Sequence, residues 1–444
     1  MGIPQKLKSK VTSGSFKSTL WLLSERMIKM GLGFVIFALI ARHLGPEDFG
    51  LLNYSIAFVA LVASFTPLGL SGLVVRELVK YPEKKDRLLG STLFLRFLTG
   101  IIAFCFVFFF INTNEDSSLA NIILFIVSFK LILDCFETFD LWFQSIVKSK
   151  YTAVAKIISL IAVSLVNIFL IYLDVGVLYF AIATTVEFGL VYILLFIIYT
   201  IKFGSPLKWK FDFNLSKQLL AQSWPLIFSG VAAVIYLKSD QIMLRWLDSE
   251  VAVGVYSSAV RLSEVWFFLP TAIVTSLFPA IIKAKQESSS LYNDMLQKIY
   301  YLLFYLSVAL ALIVMLIGTP LINFAYGAQY AEGAIILKIH IWTAVFVFMR
   351  ALLSKWLINE NLLLFSFVSH GLGALSNIAL NLLLIPIYGG IGAAIGTLLS
   401  FSVSTVLFTF FSKKTRVAGY MMVKTIFDPI LRLVDFYKKG RKSS

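Results

Sequence analysis

The chain has 444 residues, of which 59% are hydrophobic and only 14% charged, and its mean hydropathy is +0.87. No soluble domain of this size has enough interior to hide that much apolar surface, so the composition excludes a water-soluble enzyme or binding module. The formal charge of +15 would suit a nucleic-acid binder, but most of the cations fall in short connections between apolar runs, which makes the charge a topology signal.

Apolar runs of about 20 residues predict twelve membrane spans, at 19–41, 49–72, 88–111, 119–143, 152–173, 177–200, 219–246, 251–282, 299–318, 334–357, 363–385 and 391–411. The predicted organisation is a basic cytoplasmic N-terminus (1–18), a first lobe of six helices (19–200) and a cytoplasmic linker (201–218). A second lobe of six helices (219–411) and a basic amphipathic cytoplasmic tail (412–444) complete it. Lys6, Lys8, Lys10 and Lys17 precede the first run as they would in a secretory signal. That run is too long for one, however, and carries Glu25, Arg26 and Lys29.

Alternate connections differ in charge. One set holds Arg76, Lys80, Lys84, Lys85 and Arg87, then Lys148 and Lys150, then Lys202, Lys208, Lys210 and Lys217, then Lys283, Lys285 and Lys298. The other set holds Glu47, Asp48, Glu115, Asp116, Asp174, Asp248, Glu250 and Glu332, with Arg42 its one base. Cytoplasmic loops retain Lys and Arg, so both termini are predicted to be cytoplasmic.

The chain also repeats itself. Arg42 to Glu47, with Gly50, Tyr54 and Ser55, matches Arg245 to Glu250, with Gly254, Tyr256 and Ser257, six spans later at the same outer turn. A parallel repeat of this kind relates two pseudo-symmetric halves. Cys105 and Cys135 lie inside predicted spans, so no disulfide is expected, and no metal-ligand cluster is spaced for one. His43, His340 and His370 are scattered over different segments, where packing is the expected role.

The informative residues are charges in the spans, because a charge at mid-membrane costs about 2.5 to 3.5 kcal/mol and usually faces protein or a wet cavity. Most are cations: Lys29, Arg96, Lys130, Lys238, Arg261, Lys338 and Arg350. Cations facing an interior suit an anionic cargo. Lys29 lies about ten residues, or roughly 15 Å, into the first span, on a helix face it shares with Glu25 and Arg26. Arg26 also fits snorkelling to the surface, as do Lys156 and Lys355. Lys130, Asp134, Glu137 and Asp140 fall in one arc and suit an intrahelical ion-pair ladder, while Arg96 and Glu187 are deep enough to pair. Lys238 and Arg245 share a face from which Asp240 points away, so Asp240 needs a partner on another helix, and a cation is one candidate. Arg261 and Glu264 sit one turn apart just before Pro270, a residue that can kink the helix. Gly392 and Gly396 form a small-residue face for close helix packing. The stretch 424–438, and Lys208, Trp209 and Lys210 in the linker, read as segments lying on the anionic inner leaflet.

Several stretches carry a resemblance. KSDQIMLRWL at 238–247, VGVYSSAVRLSEVW at 253–266 and Phe278-Pro279-Ala280 look like the seventh and eighth helices of Wzx-type polysaccharide flippases. ARHLGPEDFGLLNY at 41–54, with Gly69-Leu70 and VRELV at 75–79, resembles their first two helices, and GGIGAAIGT at 389–397 is similar as well. The resemblance extends over nearly the whole chain. It implies an all-α polytopic member of the multidrug/oligosaccharidyl-lipid/polysaccharide exporter superfamily, with two six-helix lobes around a central cavity. Such proteins carry undecaprenyl-diphosphate-linked oligosaccharide repeat units to the outer leaflet by alternating access, as in O-antigen and lipopolysaccharide biosynthesis.

On that reading Arg26, Lys29, Lys238, Arg261 and Arg350 form the cationic substrate site, and Glu25, Asp134, Glu187, Asp240 and Glu264 are charge partners or ion-coupling groups. No cofactor is expected, and H+, Na+ and anion coupling all remain open. The expected partners are the lipid-linked oligosaccharide, anionic membrane lipids and downstream polymerase and chain-length machinery, with no nucleic acid and a monomer as the working unit. Two alternatives stand beside it. A cation-coupled drug antiporter of the same superfamily would favour a more acidic pocket, and a polytopic polymerase or glycosyltransferase would need a larger outer loop than this chain has.

Overall fold

A computed structural model of the protein describes residues 5–113 and 118–428. The outer-loop acids Glu115 and Asp116 and the tail beyond Asp428 lie outside the described residues. All regular structure among the described residues is helical, and ten segments are long and apolar enough to cross a membrane. The chain divides into two compact units, 1–238 and 239–444.

The first unit begins with α1 (Gln5–Ala63), which breaks at Gly45, where φ 75° and ψ 170° are non-helical and Pro46 opens the second half. The rings of Phe37 and Phe49 lie 4.8 Å apart, whereas a straight helix would separate residues so far apart in sequence by roughly 18 Å. The chain therefore doubles back at Gly45. A positive φ of this kind is one that glycine adopts without the steric cost of a Cβ. Then come α2 (Leu70–Lys80), α3 (Lys85–Thr113), α4 (Ser118–Leu133), α5 (Thr138–Ser145), α6 (Lys150–Tyr172) and α7 (Val177–Phe203). A 3₁₀ turn, Asp134–Glu137, joins α4 to α5.

The connection to α8 (Phe213–Leu247) docks on this unit. Trp209 stacks near Phe139 and Tyr199, at 4.9 and 5.2 Å between ring centroids, and its Nε1 donates to the Tyr199 hydroxyl at 2.9 Å. The Lys210 amide donates to the Asp86 carbonyl at 3.0 Å, and Gly90 packs so closely on Lys210 that a Cβ there would meet its backbone at 2.5 Å. Trp209 is thus half-buried against this unit, with its indole N–H satisfied by a protein hydroxyl.

The second unit contains α9 (Glu250–Glu264), α10 (Phe268–Glu287), α11 (Ser289–Tyr326), α12 (Gly333–His340), α13 (Thr343–Asn359) and α14 (Leu363–Thr405). Pro270 falls in the first turn of α10, just after a 3₁₀ turn at Val265–Phe267, where its missing donor costs little. Helix α14 breaks at Gly389, with φ 53° and ψ −132°. Gly392 then returns so close to Leu384 that a Cβ would collide with the Leu384 carbonyl oxygen. With the reversals at Gly45 and Gly389, the ten segments carry the twelve apolar runs read from the sequence. A last helix, 416–428, packs on α11 through Thr425, which accepts from Gln297 Nε2 at 2.8 Å, and through Asp428, which accepts from the Tyr301 hydroxyl. Residues 424–428 are thus attached to the protein, while 429–438 lie outside the described residues.

Candidate functional site

Among the described residues each unit holds a polar cluster, buried in the second unit and mostly half-buried in the first, where Lys29 is exposed. In the first, Glu25 and Lys29 from α1, Glu137 and Asp140 from the 3₁₀ turn and α5, Lys156 from α6 and Glu187 and Tyr192 from α7 line a cavity of about 140 Å³. The cavity forms because α1, α4, α6 and α7 pack together, and because the tighter 3₁₀ turn re-aims the acids around Asp134–Glu137.

The cations here are matched by carboxylates. Arg96, 2% exposed, donates from Nη1 to Glu137 Oε2 at 2.7 Å and from Nη2 to Ser71 Oγ at 2.8 Å. Its partner is therefore Glu137 and not Glu187, because α3 packs on α4 and the 3₁₀ turn while α7 packs on α4 and α6. Lys130 donates to Asp134 Oδ2 at 2.5 Å, and Tyr192 donates to the other oxygen at 2.8 Å. The expected ladder keeps only this first rung. Glu137 turns to Arg96, and Asp140 accepts from Thr152 at 2.5 Å and Gln144 at 3.0 Å. Lys29 and Lys156 line the same cavity as Glu187 and Asp140. Glu25, Asp134, Glu137, Asp140 and Glu187 thus face Lys29, Arg96, Lys130 and Lys156, so the interior of this unit is mixed in sign rather than cationic. Arg26 is exposed and outside the lining.

In the second unit the cluster centres on Asp240, 4% exposed. Oδ1 accepts from Asn381 Nδ2 at 2.6 Å, and Oδ2 accepts from the Tyr256 hydroxyl and from Thr397 Oγ1, each at 2.5 Å. Asn377 Oδ1 accepts from Ser239 Oγ at 2.6 Å and from Asn381 Nδ2 at 3.2 Å. Asn381 Oδ1 and Asn377 Nδ2 are buried without a partner. A cation partner was one expectation for Asp240, and the structure supplies neutral donors instead. The helices packed around it, α9 and α14, present Tyr256, Asn381 and Thr397 at that level. Asn377 and Asn381 escaped the sequence reading, although two amides four residues apart in an apolar span are a signal, since each needs a partner there.

The remaining candidates are spread out. Arg261 and Glu264 lie on α9, the helix that also carries Tyr256. Arg350, 8% exposed, donates to the Ser404 carbonyl at 2.6 Å and to Ser369 Oγ at 2.8 Å, bracing α13 against both halves of α14. Lys238 is half-buried at the end of the first unit. His340 is buried against Ser263 Oγ at 2.9 Å, as a packing histidine would be. Among the described residues no group of three or more His, Cys, Asp or Glu side chains is placed to hold a metal ion.

Comparison with known proteins places this architecture. The model of the family described as polysaccharide biosynthesis protein matches residues 15–285. A curated relative, the probable flippase AglR of Haloferax volcanii, is 27% identical over 400 residues, covering 85% of this chain and 79% of AglR. Among solved structures, the lipid II flippase MurJ in an inward closed conformation superposes with a TM-score of 0.72 at 18% identity, covering 95% of this chain and 93% of MurJ. An inward-facing MATE multidrug transporter of the MOP superfamily superposes with a TM-score of 0.69 at 15% identity, covering 91% of this chain and 99% of that one. The apolar helices, the shared fold and the match over 15–285 converge: this multi-pass membrane transporter belongs to the polysaccharide biosynthesis protein family.

Proposed function

We propose that the protein flips lipid-linked oligosaccharides, of the undecaprenyl-diphosphate-linked repeat-unit type, from the cytoplasmic to the outer leaflet of a bacterial inner membrane. The observation that carries this reading is the chamber of the first unit, where Lys29 and Lys156 stand among four carboxylates inside a transporter fold. A diphosphate cannot cross hydrocarbon alone, and ammonium groups inside the protein can replace its hydration while neighbouring carboxylates compete for the same cations and limit how tightly it is held. The Lys and Arg asymmetry of the connections supports an orientation with both termini cytoplasmic. The product then serves surface polysaccharide assembly of the O-antigen kind.

The coupling ion in this proposal is a cation, and Asp240 is its site. A buried carboxylate satisfied only by neutral donors accommodates a proton or a hard cation more readily than an anion. Both Asp240 oxygens, Asn377 Oδ1, Thr397 Oγ1 and the Ala393 carbonyl, which lies 3.0 Å from Thr397 Oγ1, form an all-oxygen set. Rotating the Asn381 amide would bring its Oδ1, now without a partner, toward the Asp240 carboxylate.

The test is translocation in proteoliposomes, read by a membrane-impermeant enzyme that attacks only outward-facing sugar. Protein-dependent exposure that responds to a Na+ or H+ gradient is expected, and absence of exposure with a polyprenyl-diphosphate-linked oligosaccharide would overturn the flippase reading. The acid-rich lining favours a second reading, cation-coupled export of small cationic molecules, for which the same vesicles would show gradient-driven dye transport instead.

A further inference from the structure

We propose that the basic end of the first unit holds the phosphate-bearing headgroup of a membrane lipid, on four lysines set over one aromatic cluster. The inference rests on the flippase reading only in offering a polyprenyl diphosphate as one of two lipids to be tested.

The rings come from the ends of α5, α6 and α7. Tyr151 and Phe143 lie 5.5 Å apart between centroids, Tyr151 and Phe203 6.2 Å, Trp142 and Phe203 6.1 Å, and Tyr199 and Phe203 6.0 Å. The lysines stand over this surface. Lys85 Nζ is 4.8 Å from the Trp142 centroid and 5.3 Å from that of Tyr199, and Lys148 is 5.3 Å from Phe203. Lys150 and Lys202 lie 5.8 and 5.3 Å from Tyr151. Ring faces attract and position ammonium groups, but they carry no net charge and cannot neutralise them.

Carboxylates do not neutralise them either. Among the described residues Lys148, Lys150 and Lys202 have no acidic partner, and Lys85 has only Asp86 at 3.8 Å. In the second unit, by comparison, Lys285 reaches Glu360 at 2.8 Å and Lys283 reaches Glu287 at 3.7 Å. A surplus of three positive charges on one rigid patch calls for a multiply charged anion. Its level selects the source, because the ends of membrane helices with aromatic girdles sit where lipid phosphates lie. Nucleic acid fits less well. Phe143 and Tyr199 are buried under the lysines and offer no open face for a base to stack on.

The experiment uses the full chain in phosphatidylcholine nanodiscs doped either with phosphatidylglycerol or with undecaprenyl diphosphate, and counts retained lipid by native mass spectrometry. Three variants are compared with wild type: Lys148→Gln/Lys150→Gln/Lys202→Gln, the same three positions as Lys→Arg, and Lys283→Gln/Lys298→Gln/Lys413→Gln as a charge-matched control. The first is expected to lose at least about tenfold in affinity for the doped lipid, while the arginine triple and the control bind as wild type does. Loss in both lipid arms assigns the patch to lipid phosphate in general, and loss confined to the diphosphate arm assigns it to cargo entry. Equal binding by the glutamine triple and wild type, or an equal loss in the control, overturns the proposal. If the glutamine triple does not fold, the single Lys148→Gln, at an exposed position, is expected to lose about fivefold, and an unchanged affinity overturns the proposal equally. Headgroup retention without translocation would count against the flippase reading and leave this site standing.

Discussion

The two units differ in what surrounds their buried charge. In the first, Arg96 is matched by Glu137 and Lys130 by Asp134, while Asp140 is held by Thr152 and Gln144. In the second, Asp240 is surrounded by an amide and two hydroxyls and has no ion-pair partner among the described residues. A matched pair is a closed arrangement that resists change, because removing either member strands the other in low dielectric. A carboxylate held by neutral donors stays open to a proton or cation, since amides and hydroxyls can reorient without leaving a charge behind. The difference makes the first cluster's pairs structural, and the proposed ion response falls to the second.

The strongest way to break this comparison is Glu137→Leu. It leaves the Arg96 guanidinium with Ser71 alone, and a loss of about 3 kcal/mol is expected in thermal or chemical denaturation. The figure sits at the low end of the range because Glu137 is 40% exposed. The double variant Arg96→Met/Glu137→Leu should recover most of it. A double variant less stable than the single would show that the pair is not what holds these helices.

Asp240→Asn comes next. The neutral isostere keeps the hydrogen-bond count, so the melting temperature should shift by little, while the dependence of translocation on a cation gradient falls by roughly 5- to 150-fold. An unchanged gradient response would move ion coupling elsewhere. A finer probe is Gly396→Ala, whose Cβ would sit 2.5 Å from Asn381 Oδ1 and disturb the cage without changing any charge. A loss of about 1 to 3 kcal/mol is expected, with weaker gradient dependence, and normal gradient dependence would show that the Asn381 orientation is irrelevant. The smallest effect belongs to Lys283→Gln. Its pair with Glu287 is exposed on both sides, so stability should change by less than about 0.5 kcal/mol.

Much of the fold was legible because its signals are local. Membrane spans are set by run length and turns by glycine and proline, so Gly45-Pro46 and Gly389 mark reversals that were already visible as gaps between apolar runs. The grouping of Glu25 with Lys29 was legible too, since residues four apart share a helix face. The pairing of charges between helices was less so. Arg96 could have met Glu187 or Glu137 by depth alone, and only the packing of α3 on the 3₁₀ turn chose Glu137. Composition marked Trp209 as an interfacial residue, and only the packing showed that its ring meets Phe139 and Tyr199 from two other helices.

The sequence by itself determined that this chain is helical, crosses a membrane many times and buries charges within its spans, because hydrophobicity and helical period act over a few turns of one helix. The tertiary structure decided which charges meet. It matched Arg96 and Lys130 with acids, surrounded Asp240 with Tyr256, Asn381 and Thr397, and, among the described residues, left Lys148, Lys150 and Lys202 without acidic partners over their aromatic floor. The physical reason is that the energy of a buried charge depends on groups within a few ångströms, and in a helical bundle those groups come from helices far apart in the chain.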